Sequence, residues 1–265
     1  MKPITSRQNP FVLRCRELAR RRVDGIILLD GQHLVEEARK AGLRVEAAAA
    51  GPRLAGEPAV ARMLAELEAE GAEVFAATES VMEAASPVRS PSGLVAVARF
   101  DLAGPQQVFR PGSDLVVAGV GLQDPGNVGA LTRVADAAGS SGLVFSAGSA
   151  DPLGWKALRA SSGSAFRVPM ATGISPEETC AAARAAGLRV VATCPATGSD
   201  LHETDLTGPL LVLMGGEGPG LPADLIRSAE ARLRIPMREP VESLNVAVAA
   251  GIVLFEAVRQ RRARR

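Results

Sequence analysis

At 265 residues with 47% apolar content, the chain is long enough for two domains with separate cores and too hydrophobic for wholesale disorder. Its net charge of +1 rules out a uniformly basic or acidic protein, yet the charge is uneven: the first 22 residues carry Lys2, Arg7, Arg14, Arg16, Arg20, Arg21 and Arg22 against Glu17, and the tail holds Arg259, Arg261, Arg262, Arg264 and Arg265. Cys15, Cys180 and Cys194 are odd in number, far apart and without histidines at ligand spacing, so they imply neither a disulfide framework nor a zinc site, and reduced, mostly buried thiols in a cytoplasmic protein are expected. The basic N-terminus has no apolar segment behind it, and no uncharged run reaches the roughly 18 residues of a membrane span. Only Lys2, Lys40 and Lys156 of the 30 basic residues are lysines. Arginine's planar fork suits phosphate oxygens, but a GC-rich genome explains the bias equally well, so composition by itself does not establish RNA binding.

In chain order, residues 5–22 predict a basic amphipathic helix with Val12, Leu13 and Leu18 on one side and arginines on the other. A strand follows at 26–29, a helix at 32–41 ended by Gly42, a strand at 45–49, a helix at 58–70, and strands at 72–75 and 94–98. Strands alternating with helices make a small α/β sandwich over residues 1–98. Residues 99–112, with Gly104, Pro105, Pro111 and Gly112 and no periodicity, form the linker.

Beyond it, over residues 113–265, the alternation resumes. Strands are expected at 115–118, 143–145, 166–168, 188–192, 210–214 and 233–235, and helices at 127–138, 153–160, from 175 to Gly187, and at 223–229. Ser175-Pro176-Glu177-Glu178 reads as a helix start, with a capping serine, a proline in the first turn and acids at the positive end of the dipole. A mostly parallel sheet with helices on both faces follows.

Two stretches organise this half. The buried-strand run Leu210-Leu211-Val212-Leu213-Met214 enters the turn Gly215-Gly216-Glu217-Gly218-Pro219-Gly220, where missing Cβ atoms let a ligand reach backbone amides. After Ile235-Pro236-Met237 and a charged turn, Ser243-Leu244-Asn245 opens an uncharged run from Val246 to Phe255, a helix apolar on every side that needs packing partners all round. A third cluster is Gln123-Asp124-Pro125-Gly126-Asn127-Val128-Gly129-Ala130-Leu131-Thr132-Arg133. On its helix Val128, Leu131, Ala135 and Ala138 share a face, and Arg133 points away toward solvent, a partner chain or a site.

Together the Asp-Pro-Gly-Asn-Val-Gly run with Arg133 six residues after Asn127, the Gly215-Gly216-Glu217-Gly218 turn, and Ile235-Pro236-Met237 with Ser243-Leu244-Asn245-Val246 resemble the three motifs of the SpoU/TrmH family of ribose 2′-O-methyltransferases, in the SPOUT superfamily. The resemblance covers residues 113–265. More weakly, Ile4-Thr5-Ser6-Arg7-Gln8-Asn9-Pro10 and residues 27–38 look like the family's N-terminal substrate-binding domain, similar to small ribosomal proteins; Asp30 stands where that match often has Glu.

The resemblance implies a C-terminal sheet tied in a deep trefoil knot, which periodicity alone could not suggest. It implies S-adenosylmethionine held by Thr193, Gly215, Gly216, Ile235, Met237 and Leu244, largely through backbone, with no metal. It assigns Arg133 to the ribose hydroxyl, usually as the base. A guanidinium is a donor that does not give up its proton readily, so an arginine clamping the adjacent phosphate and the developing alkoxide satisfies the same sequence. Asn127, Glu217, Ser243 and Asn245 then orient Arg133 and the nucleotide, while helix capping serves equally for Ser243 and Asn245. The family completes its site across a homodimer. Arg7, Arg14, Arg20, Arg21 and Arg22 are the expected RNA contacts, since 3% aromatics and no tyrosine leave little for base stacking.

His33 and His202 are isolated in sequence and are not expected to be catalytic; Trp155 and Phe166 read as core or interface rather than base-stacking platforms. Ribosomal RNA is preferred over transfer RNA as substrate because the N-terminal domain resembles that of the rRNA-modifying branch. One alternative is a nucleotide-dependent oxidoreductase, suggested by Val116-Val117-Ala118-Gly119-Val120-Gly121 with Gly126, but the third glycine is misplaced for a dinucleotide fingerprint. Another is a non-catalytic dimeric RNA-binding protein, against which all five polar motif residues speak.

Overall fold

The computed structural model describes residues 1–264, and the chain folds as two compact units: residues 1–101 with 153–166, and residues 102–152 with those from 167 onward. The first unit contains β1 (Lys2–Ile4), α1 (Pro10–Arg20), β2 (Ile26–Asp30), α2 (Gln32–Lys40), β3 (Val45–Ala50), α3 (Pro52–Ala55), α4 (Pro58–Ala69), β4 (Glu73–Ala77), α5 (Glu79–Ala85) and β5 (Leu94–Arg99). Its five strands lie in the order β1-β4-β3-β5-β2, with β5 antiparallel to both neighbours and the other pairs parallel.

The first helix is shorter than its basic pattern suggests. Asn9 Oδ1 accepts from Phe11 N–H at 2.9 Å and Pro10 takes the first helical position, so the helix starts at residue 10 and leaves out residues 5–9 of the expected span; residues 2–4, ahead of that span, pair with β4. Leu13 does not join the apolar side. Phe11, Val12 and Cys15 are buried, whereas Leu13 is 45% exposed. Burial pushes the Cys15 thiol up to about 12, which keeps it inert, and Cys180 and Cys194 are also buried and free.

The chain continues with α6 (Pro105–Val108), β6 (Leu115–Val120), α7 (Pro125–Ala137), β7 (Gly142–Ser146), α8 (Trp155–Ser161), β8 (Met170–Ile174), α9 (Pro176–Ala185), β9 (Arg189–Thr193), β10 (Ser199–Asp200), β11 (Leu210–Gly215), α10 (Ala223–Ser228), β12 (Ala231–Arg234) and α11 (Val246–Ala263). Helix α8 belongs to the first unit: Trp155 packs against the cluster of Phe11, Val12 and Phe75, and Arg159 Nη1 reaches the buried Asp30 Oδ1 at 3.4 Å. No such excursion is visible in the sequence pattern.

The strand expected at 166–168 is absent. Residues Ser164–Phe166 form a turn of 3₁₀ helix, Phe166 stacks edge-on against Phe100 at 5.5 Å, and Pro169, which has no N–H to give a ladder, delays the strand to Met170. Helix α9 starts as expected, with Ser175 Oγ accepting from Glu178 N–H and Glu178 Oε2 accepting from Ser175 N–H, both at 3.1 Å.

The second unit's seven strands are all parallel, in the order β10-β12-β9-β11-β6-β7-β8. Strand β11 lies between β6 and β9, so a slot left open earlier in the chain is filled late. On one face Val116, Ala118, Val190, Ala192, Leu211 and Leu213 pack with Cys180 and Ala183 of α9 and Leu225 of α10. Period-2 alternation turns Val117, Val191 and Val212 the other way. Helices α7 and α11 pack against each other there, and on β6, β7 and β11. Only one side of α11 is covered within the chain: Val246, Ala247, Ala250, Val253, Leu254 and Ala257 are buried, while Val248, Ile252 and Phe255 form an exposed apolar stripe.

Candidate active site

In a parallel sheet every strand delivers its C-terminal end to the same edge, where ligands of such sheets bind. Strands β12, β9 and β11 are neighbours there, with Thr193 level with Leu233, so Thr193, Gly215 and the start of the Ile235-Pro236-Met237 segment reach one edge. Helix α7 begins just beyond β6 at that edge. Asp124 caps it by accepting from Gly126 N–H at 2.8 Å, and Pro125 fills its first position.

Three of the five polar motif residues, Asn245, Asn127 and Glu217, meet in a directed chain. Asn245 caps α11: its Oδ1 accepts from Ala247 N–H at 2.9 Å and Val248 N–H at 3.4 Å. That fixes its amide, whose Nδ2 donates to Asn127 Oδ1 at 2.8 Å. Asn127, 7% exposed, in turn donates from Nδ2 to Glu217 Oε1. Each amide thus has a settled orientation, and the chain runs from the positive end of an 18-residue helix to a carboxylate. Glu217 Oε2 carries no hydrogen bond among the described residues, and the residue is exposed.

Ser243 takes no part in capping; it is exposed, with no hydrogen bond among the described residues. Arg133 lies on the exposed side of α7, opposite the buried Val128, Leu131 and Ala135, and has no ion pair or hydrogen bond among the described residues. Leu244 is 37% exposed, and Ile235 and Met237 are half-buried.

The glycine turn serves packing before it serves a ligand. A Cβ on Gly215 would stand 2.5 Å from the Gly220 carbonyl carbon, and one on Gly216 would overlap the Gly121 carbonyl oxygen and lie 2.9 Å from its carbon. The space expected to be open to a ligand at these two positions is filled by the chain itself, so any ligand contact there is through their amides and carbonyls. Gly218, at φ +85°, has open space around it and supplies the left-handed turn.

On its other side the Gly121 segment is pinned by two residues the sequence did not single out. Ser146 Oγ accepts from Gly121 N–H at 3.0 Å and Ser149 Oγ from Leu122 N–H at 3.2 Å. Serines some 25 residues downstream leave no periodic or motif signal for such a role. Thr193 spends its hydroxyl donor on Leu213 carbonyl oxygen at 2.8 Å. With Thr193 held this way, the candidate cofactor residues offer mainly backbone polar groups and apolar side chains, a set that fits a sulfonium- and adenine-bearing molecule.

Most N-terminal arginines already have partners within the first unit. Arg7 pairs with Glu83 at 3.0 Å, Arg14 with Glu46 at 2.6 Å, Arg21 with Glu17, and Arg22 with Asp24 at 3.7 Å. Arg20 has no ion pair or hydrogen bond among the described residues. The positive face is therefore weaker than the sequence count of arginines implies.

Residues 114–255 match the model of the SpoU rRNA methylase family, and residues 9–96 match an MRM3-like substrate binding domain. An uncharacterised tRNA/rRNA methyltransferase of Synechocystis sp. is 33% identical, over 97% of this chain and 93% of that protein. The Bacillus subtilis 23S rRNA (guanosine(2553)-2′-O)-methyltransferase RlmP is 30% identical, over 96% of this chain and 98% of its own length. Among solved structures, an AdoMet-bound rRNA methyltransferase from Sinorhizobium meliloti superimposes with a TM-score of 0.84 at 32% identity, covering 97% of each chain.

Proposed function

The chain belongs to the SpoU rRNA methylase family, and from that premise we propose that it methylates a ribose 2′-oxygen of ribosomal RNA, 23S rRNA being the favoured substrate, with S-adenosylmethionine as donor. The observation that carries this reading is the Asn245–Asn127–Glu217 chain, which joins three motifs distant in sequence at one sheet edge. A module that only bound RNA would have no need of it.

Bound at this edge, S-adenosylmethionine supplies a methyl group already activated on a sulfonium. The backbone of Gly215, Gly216, Ile235, Met237 and Leu244, with Thr193, holds it. The protein's remaining task is to fix a ribose hydroxyl in line and ease loss of its proton. Arg133, a donor-only group without an ion pair or hydrogen bond among the described residues, clamps the phosphate beside the target ribose. Ser243, exposed, offers its hydroxyl to the nucleotide.

The exposed Val248-Ile252-Phe255 stripe is the surface a second copy covers, making a homodimer in which Arg133 serves the neighbour's cofactor site. The late filling of the β11 slot accords with a trefoil knot. We place the enzyme in the cytoplasm, with Arg20 and the other N-terminal arginines guiding RNA. Calorimetry tests the cofactor: S-adenosylmethionine binds and NAD does not. Binding of NAD instead would revive the oxidoreductase reading. Arg133→Ala is expected to lose methyl transfer while keeping RNA affinity; unchanged transfer would remove Arg133 from the site.

A further inference from the structure

Someone must take the 2′-hydroxyl proton, and Arg133 offers no lone pair for it. Along the motif chain, each amide oxygen is already occupied: Asn245 Oδ1 by the first N–H groups of α11, Asn127 Oδ1 by Asn245. The chain's polarity ends on Glu217, whose Oε1 is taken by Asn127 and whose Oε2 has no partner among the described residues. Ser243 is a neutral hydroxyl. Glu239 and Glu242, the other exposed carboxylates in the loop before α11, are not hydrogen-bonded to any member of the chain.

We propose that Glu217, rather than Arg133, is the general base of the methyl transfer, with Asn127 and Asn245 as the positioning residues that aim its free oxygen. This rests on the ribose methylation proposed above. In the step, the ribose O–H bond breaks and its proton passes to Glu217 Oε2. The oxygen's electron pair forms the new O–CH₃ bond while the S–CH₃ bond breaks, its pair staying on sulfur. Glu217 then returns the proton to water. Arg133 keeps the phosphate and the developing negative charge in register, consistent with its donor-only chemistry.

The substitutions separate aiming from proton transfer. Glu217→Gln preserves an oxygen that accepts from Asn127 but cannot take a proton at neutral pH. Single-turnover transfer at saturating RNA and donor is expected to fall about 10²–10⁴-fold, the usual weight of general-base catalysis. Melting temperature and calorimetric affinity for S-adenosylhomocysteine should stay at wild-type values. Glu217→Ala leaves a gap, and added formate is expected to restore transfer in that variant and not in Glu217→Gln. Glu239→Gln and Glu242→Gln are expected to transfer at the wild-type rate.

Transfer by Glu217→Gln within tenfold of wild type overturns the inference, as does failure of formate to rescue a folded, cofactor-binding Glu217→Ala. A Glu217→Gln protein that has lost cofactor affinity or melts early also overturns it, by showing that the carboxylate is structural. If the wild-type protein itself transfers no methyl group to ribose, it is the functional reading that fails.

Discussion

Replacing Gly216 by alanine inserts a methyl group where two stretches of main chain already touch. Its Cβ would overlap the Gly121 carbonyl oxygen and sit 2.9 Å from the carbonyl carbon, so one strand must retreat by a good fraction of an ångström. Neither side yields easily. Gly121 and Leu122 are held by Ser146 and Ser149, and Gly216 accepts from Gly220 N–H at 3.2 Å across the turn. Overpacking a filled interior costs about 1–3 kcal/mol, and the upper end applies when the obstacle is backbone. Alanine's smaller unfolded-state entropy returns about 0.4–1 kcal/mol. A net loss of about 2 kcal/mol corresponds to a melting temperature lower by roughly 4–8 °C for a unit of this size. Thermal melts followed by circular dichroism read it directly, with Gly208→Ala as control, since nothing lies within 4 Å of a Cβ there. A Gly216→Ala protein that melts with wild type while Gly208→Ala is also silent would refute the idea that chain contact, rather than ligand access, demands glycine at 216.

Asn245→Ala removes the α11 cap and leaves Asn127 Oδ1 without its donor, a combined cost of about 2–3 kcal/mol, whereas Asn245→Asp keeps the cap and should cost less in urea unfolding. Hydrogen bonds from Arg259 at 2.7 Å, then from Gln260 at 2.9 Å, hold the Glu256 carboxyl down at about 2, from an ordinary value of 4.5. A depressed carboxyl stabilises the fold above its unfolded pKa and loses that contribution as pH falls through the folded one. Between about pH 4.5 and pH 2, wild type should therefore lose melting temperature more steeply than Glu256→Gln; parallel curves would contradict this. Val248→Asp with Phe255→Asp places charge on the exposed stripe of α11 and is expected to turn a dimer into a monomer in sedimentation velocity at micromolar concentration, and a monomeric wild type would sink the dimer.

Much of the parallel sheet was legible because its strands are buried on both faces and read as unbroken apolar runs, Leu210-Leu211-Val212-Leu213-Met214 above all. Ser175 and its acids marked a helix start because capping is a local event. Where the pattern failed, a competing local or distant constraint decided. Pro10 with Asn9 overrode the basic periodicity of residues 5–9, and Pro169 displaced a strand. The excursion of residues 153–166 depends on Asp30, Phe100 and the Phe11 cluster, none of them near it in sequence. The site divides the same way. Asn127, Glu217 and Asn245 lie 90 and 118 residues apart, and only resemblance to a family put them together before the structure did. The pins from Ser146 and Ser149, and the pairing of Arg7 and Arg14 with Glu83 and Glu46, are tertiary contacts that no spacing encodes.

The most direct test of the central claim is transfer of a labelled methyl group from S-adenosylmethionine to total RNA from a strain lacking this protein, with the modified position mapped by resistance to alkaline cleavage, which a blocked 2′-oxygen prevents. A single protected position in 23S rRNA is the expected result. Label on transfer RNA would keep the chemistry and overturn the substrate, and label without alkaline protection would mean base methylation and contradict the account.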